Sequence, residues 1–318
     1  MARPVALLTR AWPAAAIDAL AAHFEVVAPG EDAPVAPDDL RAALGRCDAL
    51  LSTVTDRLDA AALAGASRTR IIGNFGVGVS HIDLEAARAA GIAVTNTPDV
   101  LTDATADLAM TLLLMSARRV SEGEALVRSG RWSGWTPTQL LGSHVTGKTI
   151  GIVGMGRIGQ ATARRAQQGF GMRVLYTSRS GREVDLPGAR RVPLEALLEE
   201  ADFVSLHCPG GAENRHLVDA AALARMKPGA HLINTARGEV VDEAALVAAL
   251  SKGVIAGAGL DVFEEEPKLH PGLSGLPNVS LLPHLGSATV ETRVAMGLRV
   301  VENLVAFFEG RAPRDRVA

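Results

Sequence analysis

Short uninterrupted apolar runs alternate with stretches of helical spacing along the whole chain. Val5-Ala-Leu-Leu-Thr9, Ala49-Leu-Leu-Ser-Thr-Val54 and Arg70-Ile-Ile-Gly-Asn74 predict buried strands, with helical patterns over Pro37–Leu44 and Leu58–Ala64 between them. The alternation resumes with strands at Thr149–Val153, Arg173–Tyr176, Asp202–Leu206, His231–Asn234, Ile255–Leu260 and Val279–Leu282. Strands that are apolar throughout are covered on both faces, the habit of parallel sheets with helical crossovers. The pattern therefore predicts an α/β protein with two doubly wound parallel sheets.

At 318 residues the chain suits two domains by the loose prior of ~150 residues each. Leu101 to about Gly130 reads as one long helix, opened by Thr102-Asp-Ala-Thr105 after Pro98. An irregular stretch, Arg131–Gly147, separates it from the next strand. The last helical pattern, Thr289 to about Glu309, follows the final strand and would return to the first lobe. The expected division is residues 1–98 plus 289–318 as a discontinuous substrate-binding domain, and 99–288 as a dinucleotide-binding domain.

Composition narrows the function classes. Thirty-two basic against 35 acidic residues leave a net charge of −3, which gives no electrostatic reason to expect nucleic acid or an anionic membrane as partner. The longest apolar stretch, Leu108–Met115, contains Thr111 and is too short for a bilayer. Cys47 and Cys208 form neither a disulfide framework nor a metal-ligand spacing, and no metal is expected. The opening residues lack a signal peptide's apolar core, so the expectation is a reduced, cytoplasmic protein. Only 3% of residues are aromatic, which throws the few tryptophans into relief.

The first chemical motif is Gly154-Met-Gly156-Arg157-Ile158-Gly159, placed directly after a strand and at the mouth of a helix. Gly154 would permit the tight turn, Gly156 the close approach of backbone to a pyrophosphate, and Gly159 the packing of helix on strand. The helix N-terminus then offers unpaired N–H groups and a positive dipole end to phosphate. An acid about 20 residues further on would bind the adenosine ribose hydroxyls. Ser178 stands there instead, 19 residues beyond Gly159, followed by Arg179, Ser180 and Arg182. Such a loop can be a solvated surface turn, but hydroxyls and guanidinium groups also suit a 2′-phosphate. NADP(H) is the preferred reading, with NAD(H) as the lesser cofactor.

Three ionisable residues follow at strand ends of this second unit: Arg237, Glu266 and His284. Singly, each has a plain structural explanation. Together they sit beyond the carboxyl ends of parallel strands, where open α/β sheets bind ligands, and supply what carbonyl reduction needs. Arg237 can hold carboxylate and carbonyl oxygens, His284 can donate a proton, and Glu266 can hold the imidazole and favour its charged form.

Asn74-Phe-Gly-Val-Gly78, Thr97-Pro-Asp-Val-Leu-Thr-Asp-Ala-Thr-Ala-Asp107, the Gly154–Gly159 motif, Asn234-Thr-Ala-Arg-Gly238, Gly259-Leu-Asp-Val-Phe263 and Pro283-His-Leu-Gly-Ser287 occur in this order. Over residues 70–318 the chain closely resembles the D-isomer-specific 2-hydroxyacid dehydrogenase family, in its glyoxylate/hydroxypyruvate reductase branch. The resemblance implies two Rossmann-like domains with an active-site cleft between them, and Arg237, Glu266 and His284 as the catalytic trio. It points to the amides of Val77 and Gly78 as a second carboxylate anchor, although a plain glycine turn explains Gly76-Val-Gly78 as well. Cofactor contacts are implied for Thr105, Arg157, Ile158, Cys208, Pro209, Thr235, Ala236, Asp261 and Gly286, besides the motif glycines, His284 and the Ser178–Ser180 tip. Cys208 itself reads as a packed thiol rather than a nucleophile. Ser80 and Gly210-Gly-Ala-Glu-Asn214 depart from the family pattern, which affects loop support near that second anchor and contacts on the adenine side.

The implied activity is NADPH-dependent reduction of small 2-keto acids, glyoxylate to glycolate and hydroxypyruvate to D-glycerate. Larger or aromatic 2-keto acids are the rival substrates, and a dinucleotide-sensing binding module is the rival class. Trp132 and Trp135 lie together in the irregular segment. They read either as interface packing or, through the implied homodimer, as a loop that sets Trp135 against the partner's substrate.

Overall fold

The computed structural model describes residues 2–179 and 184–318. The chain divides into two compact units, Met1–Leu101 with Ser287–Ala318, and Thr102–Gly286.

The first unit is a five-stranded, all-parallel sheet. Its strands are β1 (Val5–Leu8), β2 (Glu25–Val27), β3 (Ala49–Ser52), β4 (Ile71–Asn74) and β5 (Ala93–Thr95), in the order β2-β1-β3-β4-β5. Helices α1 (Ala14–Ala21), α2 (Pro37–Leu44), α3 (Ala60–Leu63) and α4 (Leu84–Ala89) make the crossovers. The side-chain period of two sorts β4 between the faces. Ile72 joins Leu40, Leu44, Leu50 and Val94 in one core, whereas a Cβ on Gly73 would lie 2.5 Å from Val300 of the C-terminal helix. Trp12 packs against Phe75 at 4.6 Å between ring centroids, buried on that same helix-covered side of the unit.

The second unit starts with α5 (Thr102–Ala117) and α6 (Val120–Arg128) and then builds a seven-stranded parallel sheet. Its strands are β6 (Thr149–Val153), β7 (Arg173–Thr177), β8 (Arg190–Arg191), β9 (Phe203–Leu206), β10 (His231–Asn234), β11 (Gly257–Leu260) and β12 (Val279–Leu281). They run in the order β12-β11-β10-β9-β6-β7-β8. The intervening helices are α7 (Arg157–Phe170), α8 (Leu194–Glu200), α9 (Ala220–Arg225) and α10 (Glu243–Ser251), and α11 (Val290–Phe308) closes the chain in the first unit. Ile150 and Ile152 of β6 pack with Leu112, Leu113 and Ala163 on one face. Leu197, Leu223, Leu246 and Leu250 cover the other face over Val204 and Leu232. Both sheets are thus buried on two sides, as the continuous apolar runs require.

The single helix expected over Leu101–Gly130 is in fact two. Arg119 adopts the left-handed conformation (φ 53°) between α5 and α6. The cause is a returning segment: Ser143 N donates to Ala117 O at 2.7 Å, and Gly142 packs on that same carbonyl. With its acceptor taken, the helical ladder cannot continue.

Candidate active site

The order of the seven-stranded sheet reverses between β6 and β9, and such a switch point leaves a crevice at the strands' carboxyl ends. The glycine motif occupies it. Gly154 has φ +96°, donates its N–H to Thr177 O at 3.0 Å, and stands where a Cβ would meet Cys208 N at 2.6 Å. A Cβ on Gly159 would fall 2.2 Å from Gly154 O, so α7 can approach the strand only through glycine. Gly156 caps α7 with no side-chain hydrogen bond and has open space around its missing Cβ. The first N–H groups of α7, at Ile158 and Gly159, are therefore unclaimed by a side chain at the cap and can donate to phosphate oxygens. Beyond β10, the buried Thr235 hydroxyl has no partner among the described residues, which leaves a polar atom for a ligand group. These residues fit a nicotinamide dinucleotide.

At the end of β7, Ser178 O accepts from Arg191 Nη2 at 2.6 Å, and Arg179 pairs with Glu213. Both members of that pair are more than 60% exposed. Ser180 and Arg182 lie outside the described residues.

Arg237 follows β10 on a turn clamped by Asn234, whose side chain accepts from Ala236 N at 3.0 Å and donates to Arg237 O at 2.9 Å. Desolvation lowers the Arg237 pKa, against the raising charges of Glu266 and Glu239. Its Nη1 donates to Ala236 O at 2.7 Å, yet among the described residues it forms no salt bridge. A largely desolvated cation without a bound counter-ion is prepared for an anion.

Glu266 Oε2 lies 2.8 Å from His284 Nδ1, and Glu266 Oε1 accepts from Phe263 N at 2.9 Å. Burial works to raise the Glu266 carboxyl, but the hydrogen bond and charge of His284, helped by Phe263 N and Arg237, hold it below its ordinary value. His284 has φ +55°, an uncommon conformation for a non-glycine residue. Asp261 enforces it: its carbonyl accepts from His284 N at 2.9 Å, and its carboxylate from Leu285 N and Gly286 N at 2.7 and 2.8 Å. Burial pushes the Asp261 carboxyl up to about 6, against those N–H donors. Thr105 is buried beside the Gly286 backbone.

In the first unit, Asn74 Nδ2 donates to Gly76 O and Gly78 O, and its Oδ1 meets His81 Nε2 at 3.0 Å. With those carbonyls drawn in, the N–H groups of Val77 and Gly78 have no acceptor among the described residues, which is the form of an anion nest. Trp135 is 79% exposed and Trp132 51%. Among the described residues of this chain, neither makes a ring contact.

Residues 110–286 match the model of the D-isomer specific 2-hydroxyacid dehydrogenase NAD binding domain. A glyoxylate reductase from Thermococcus onnurineus is 49% identical over 317 residues, covering 98% of this chain and 95% of that protein. The chain belongs to the D-isomer specific 2-hydroxyacid dehydrogenase family. It is an oxidoreductase with a nicotinamide dinucleotide cofactor. The crystal structure of a Thermus thermophilus protein superposes with a TM-score of 0.90 at 47% identity, covering 99% of this chain and all of that one. An NADPH-dependent glyoxylate/hydroxypyruvate reductase from Sinorhizobium meliloti, solved with NADP and malonate, gives 0.89 at 39% identity, covering 100% and 97%. Among the described residues of this family member, no helix is long and apolar enough to cross a membrane.

Several residues that build the site escaped the motif reading: Asn234, Glu239, Glu243 and Glu264. Glu239 Oε1 accepts from Gly211 N at 2.7 Å, tying the Arg237 turn to the loop after β9. Asn234 lies inside a quoted motif, so the polar residue closing an otherwise apolar strand was the available signal. Glu239 and Glu243 act on backbone distant in sequence, Glu264 on the distant side chains of Arg215 and His216, and no local pattern announces that.

Proposed function

We propose that this chain reduces glyoxylate and other small 2-keto acids such as hydroxypyruvate to their 2-hydroxy acids, with NADPH preferred over NADH. The observation that carries the reading is the His284 Nδ1–Glu266 contact at 2.8 Å, which leaves Nε2 without a partner among the described residues. When bound, the cofactor supplies a hydride to the carbonyl carbon, or accepts one in the reverse direction. His284 Nε2 gives its proton to the carbonyl oxygen during reduction, while Glu266 holds the ring and balances its charge. Arg237 binds the carboxylate and carbonyl oxygens, and the Val77 and Gly78 amides are the second carboxylate anchor. The absence of an acid at Ser178, together with Arg179, supports the 2′-phosphate. We read the enzyme as a cytoplasmic homodimer in which Trp135 lines the partner's substrate site, and a monomer by light scattering would contradict that.

The deciding experiment pairs a panel of 2-keto acids and both cofactors with His284→Ala. The variant should bind NADPH normally and lose about 10²- to 10⁴-fold in turnover, the range for a positioned general acid. Near wild-type turnover would end the proton-donor assignment.

A further inference from the structure

We propose that Glu243 is a positioning residue for the proton-donor pair. It would act by anchoring the entry of the loop that carries Glu266, an inference that rests on the reading of Glu266 and His284 given above.

Glu243 opens α10, next to Asp242, whose side chain caps the helix by accepting from Ala245 N at 2.9 Å. Helix capping is therefore complete without Glu243, yet this residue is only 6% exposed. A carboxylate is seldom buried so far unless it is hydrogen-bonded. Its partner is a backbone N–H distant in sequence: Oε1 accepts from Glu264 N at 2.7 Å. Glu264 stands two residues before Glu266, where the chain enters the loop. Beyond it the chain reverses, with Lys268 N donating to Glu265 O at 2.8 Å. The buried carboxylate on α10 thus anchors the entry of a short loop whose middle presents Glu266 to His284.

The loop has further ties, and they show what Glu243 adds. Phe263 N is spent on Glu266 itself, and the Glu264 carboxylate is spent on Arg215 Nη2 and His216 Nε2, each at 2.7 Å. Neither ties the loop's backbone to α10, as Glu243 does through Glu264 N. The charged and titratable groups facing Glu243 are Glu264, which disfavours its ionised form, and His270, which favours it. Around the donor pair itself stand Arg237 and Asp261. Holding a catalytic group within a fraction of an ångström is worth far more in rate than the hydrogen bonds cost to make.

The test compares Glu243→Ala, Glu243→Gln, Glu266→Gln and the double variant Glu243→Ala/Glu266→Gln in the full chain, as pH profiles of kcat and KM for glyoxylate with NADPH. Glu243→Ala should lower kcat about ten-fold or more, leave KM within about two-fold, and move the alkaline limb of the profile to lower pH, as Glu266→Gln should also do. Glu243→Gln keeps one acceptor oxygen for Glu264 N but loses the charge, so it should restore part of the kcat and of the profile. The double variant should be no slower than Glu266→Gln, because Glu243 acts through that residue. A folded Glu243→Ala or Glu243→Gln with lowered Tm but wild-type profile and kcat would overturn the proposal, as would additive losses in the double variant. If Glu243→Ala does not fold, Glu243→Gln against Glu266→Gln decides on the same readouts. An unmoved profile in Glu266→Gln would instead bring down the proton-donor reading, and this inference with it.

Discussion

Gly238 stands so close to Phe263 that a Cβ on it would lie 1.9 Å from the Phe263 carbonyl carbon and 2.0 Å from its oxygen. The contact joins the turn that carries Arg237 to the loop that carries Glu266. Both colliding atoms are backbone, so no side-chain rotation can relieve the clash. Gly238→Ala must separate the two segments, and a catalytic misplacement of ~1 Å costs on the order of 10²-fold in rate. We expect kcat/KM to fall about 100-fold together with a lower Tm. Steady-state kinetics on the folded variant checks this, and an unchanged kcat/KM would refute the geometry.

Arg237 gives a prediction in which stability and activity part company. Its guanidinium is desolvated, and among the described residues it has no salt bridge. Replacing such a cation by an apolar chain of similar length removes a desolvation cost of order 1 kcal/mol or more. Arg237→Met should therefore melt at or above the wild-type temperature while losing about 10²- to 10³-fold in kcat/KM, mostly through KM. A calorimetric scan beside kinetics reads both, and a variant that melts well below wild type would show that Arg237 supports the fold.

Legibility in the sequence followed physical range. Most buried strands of both sheets were readable because a strand covered on two faces is largely apolar, as in Ala49–Ser52 or Phe203–Leu206, whereas Ala93–Thr95, buried but only three residues long, was not. The short edge strands Glu25–Val27 and Arg190–Arg191 were not, since edge positions carry polar, exposed residues. The break at Arg119 was hidden because its cause, Ser143 and Gly142 on the Ala117 carbonyl, lies more than 20 residues away. In the same way Arg237, Glu266 and His284 could be named from motifs that end strands. The groups that hold them, such as Asp261 on two backbone N–H groups and Glu243 on the Glu266 loop, became visible only when distant backbone came together.

His231 sets an acid limit on stability. Its ring is 4% exposed, stacks on Phe203 at 5.2 Å, and bonds Ser116 Oγ and Ser143 Oγ through Nδ1 and Nε2. Burial lowers its pKa to about 4. From about pH 6.5 down to about 4 the unfolded chain binds a proton that the native ring refuses, so stability falls with falling pH, by ~3 kcal/mol in total. Burial lowers His207 to about 4 as well, which adds a slope of the same sign. Asp261, raised to about 6, works the other way: its contribution is present at low pH and lost as pH rises from ~4 to ~6. Denaturant unfolding of wild type and His231→Asn at pH 7 and pH 4.5 should show a smaller acid-induced loss in the variant, by roughly 2 kcal/mol. Equal losses in the two proteins would exclude His231 as a source.

The proposed preference for NADPH rests on Arg179, and the structure gives that residue a competitor. Arg179 pairs with Glu213, which lies on the one-turn 3₁₀ helix Ala212–Asn214. Both side chains are largely exposed, and exposed pairs contribute only ~0–1 kcal/mol, so a 2′-phosphate of greater charge can displace the carboxylate at small cost. A charge-assisted hydrogen bond to that phosphate, discounted for exposure, is worth ~1.4 kcal/mol, or about ten-fold in affinity. Arg179→Ala should weaken 2′,5′-ADP binding by about that factor and leave 5′-AMP binding within about two-fold, because only the first ligand carries the 2′-phosphate. The ratio of kcat/KM for NADPH over NADH at fixed glyoxylate should fall in parallel. Raising the salt concentration should narrow the gap between wild type and variant, since the lost contact is electrostatic and near the surface. If wild type already favours NADH and Arg179→Ala changes neither ligand, the residues that read the ribose lie elsewhere and the NADPH assignment fails.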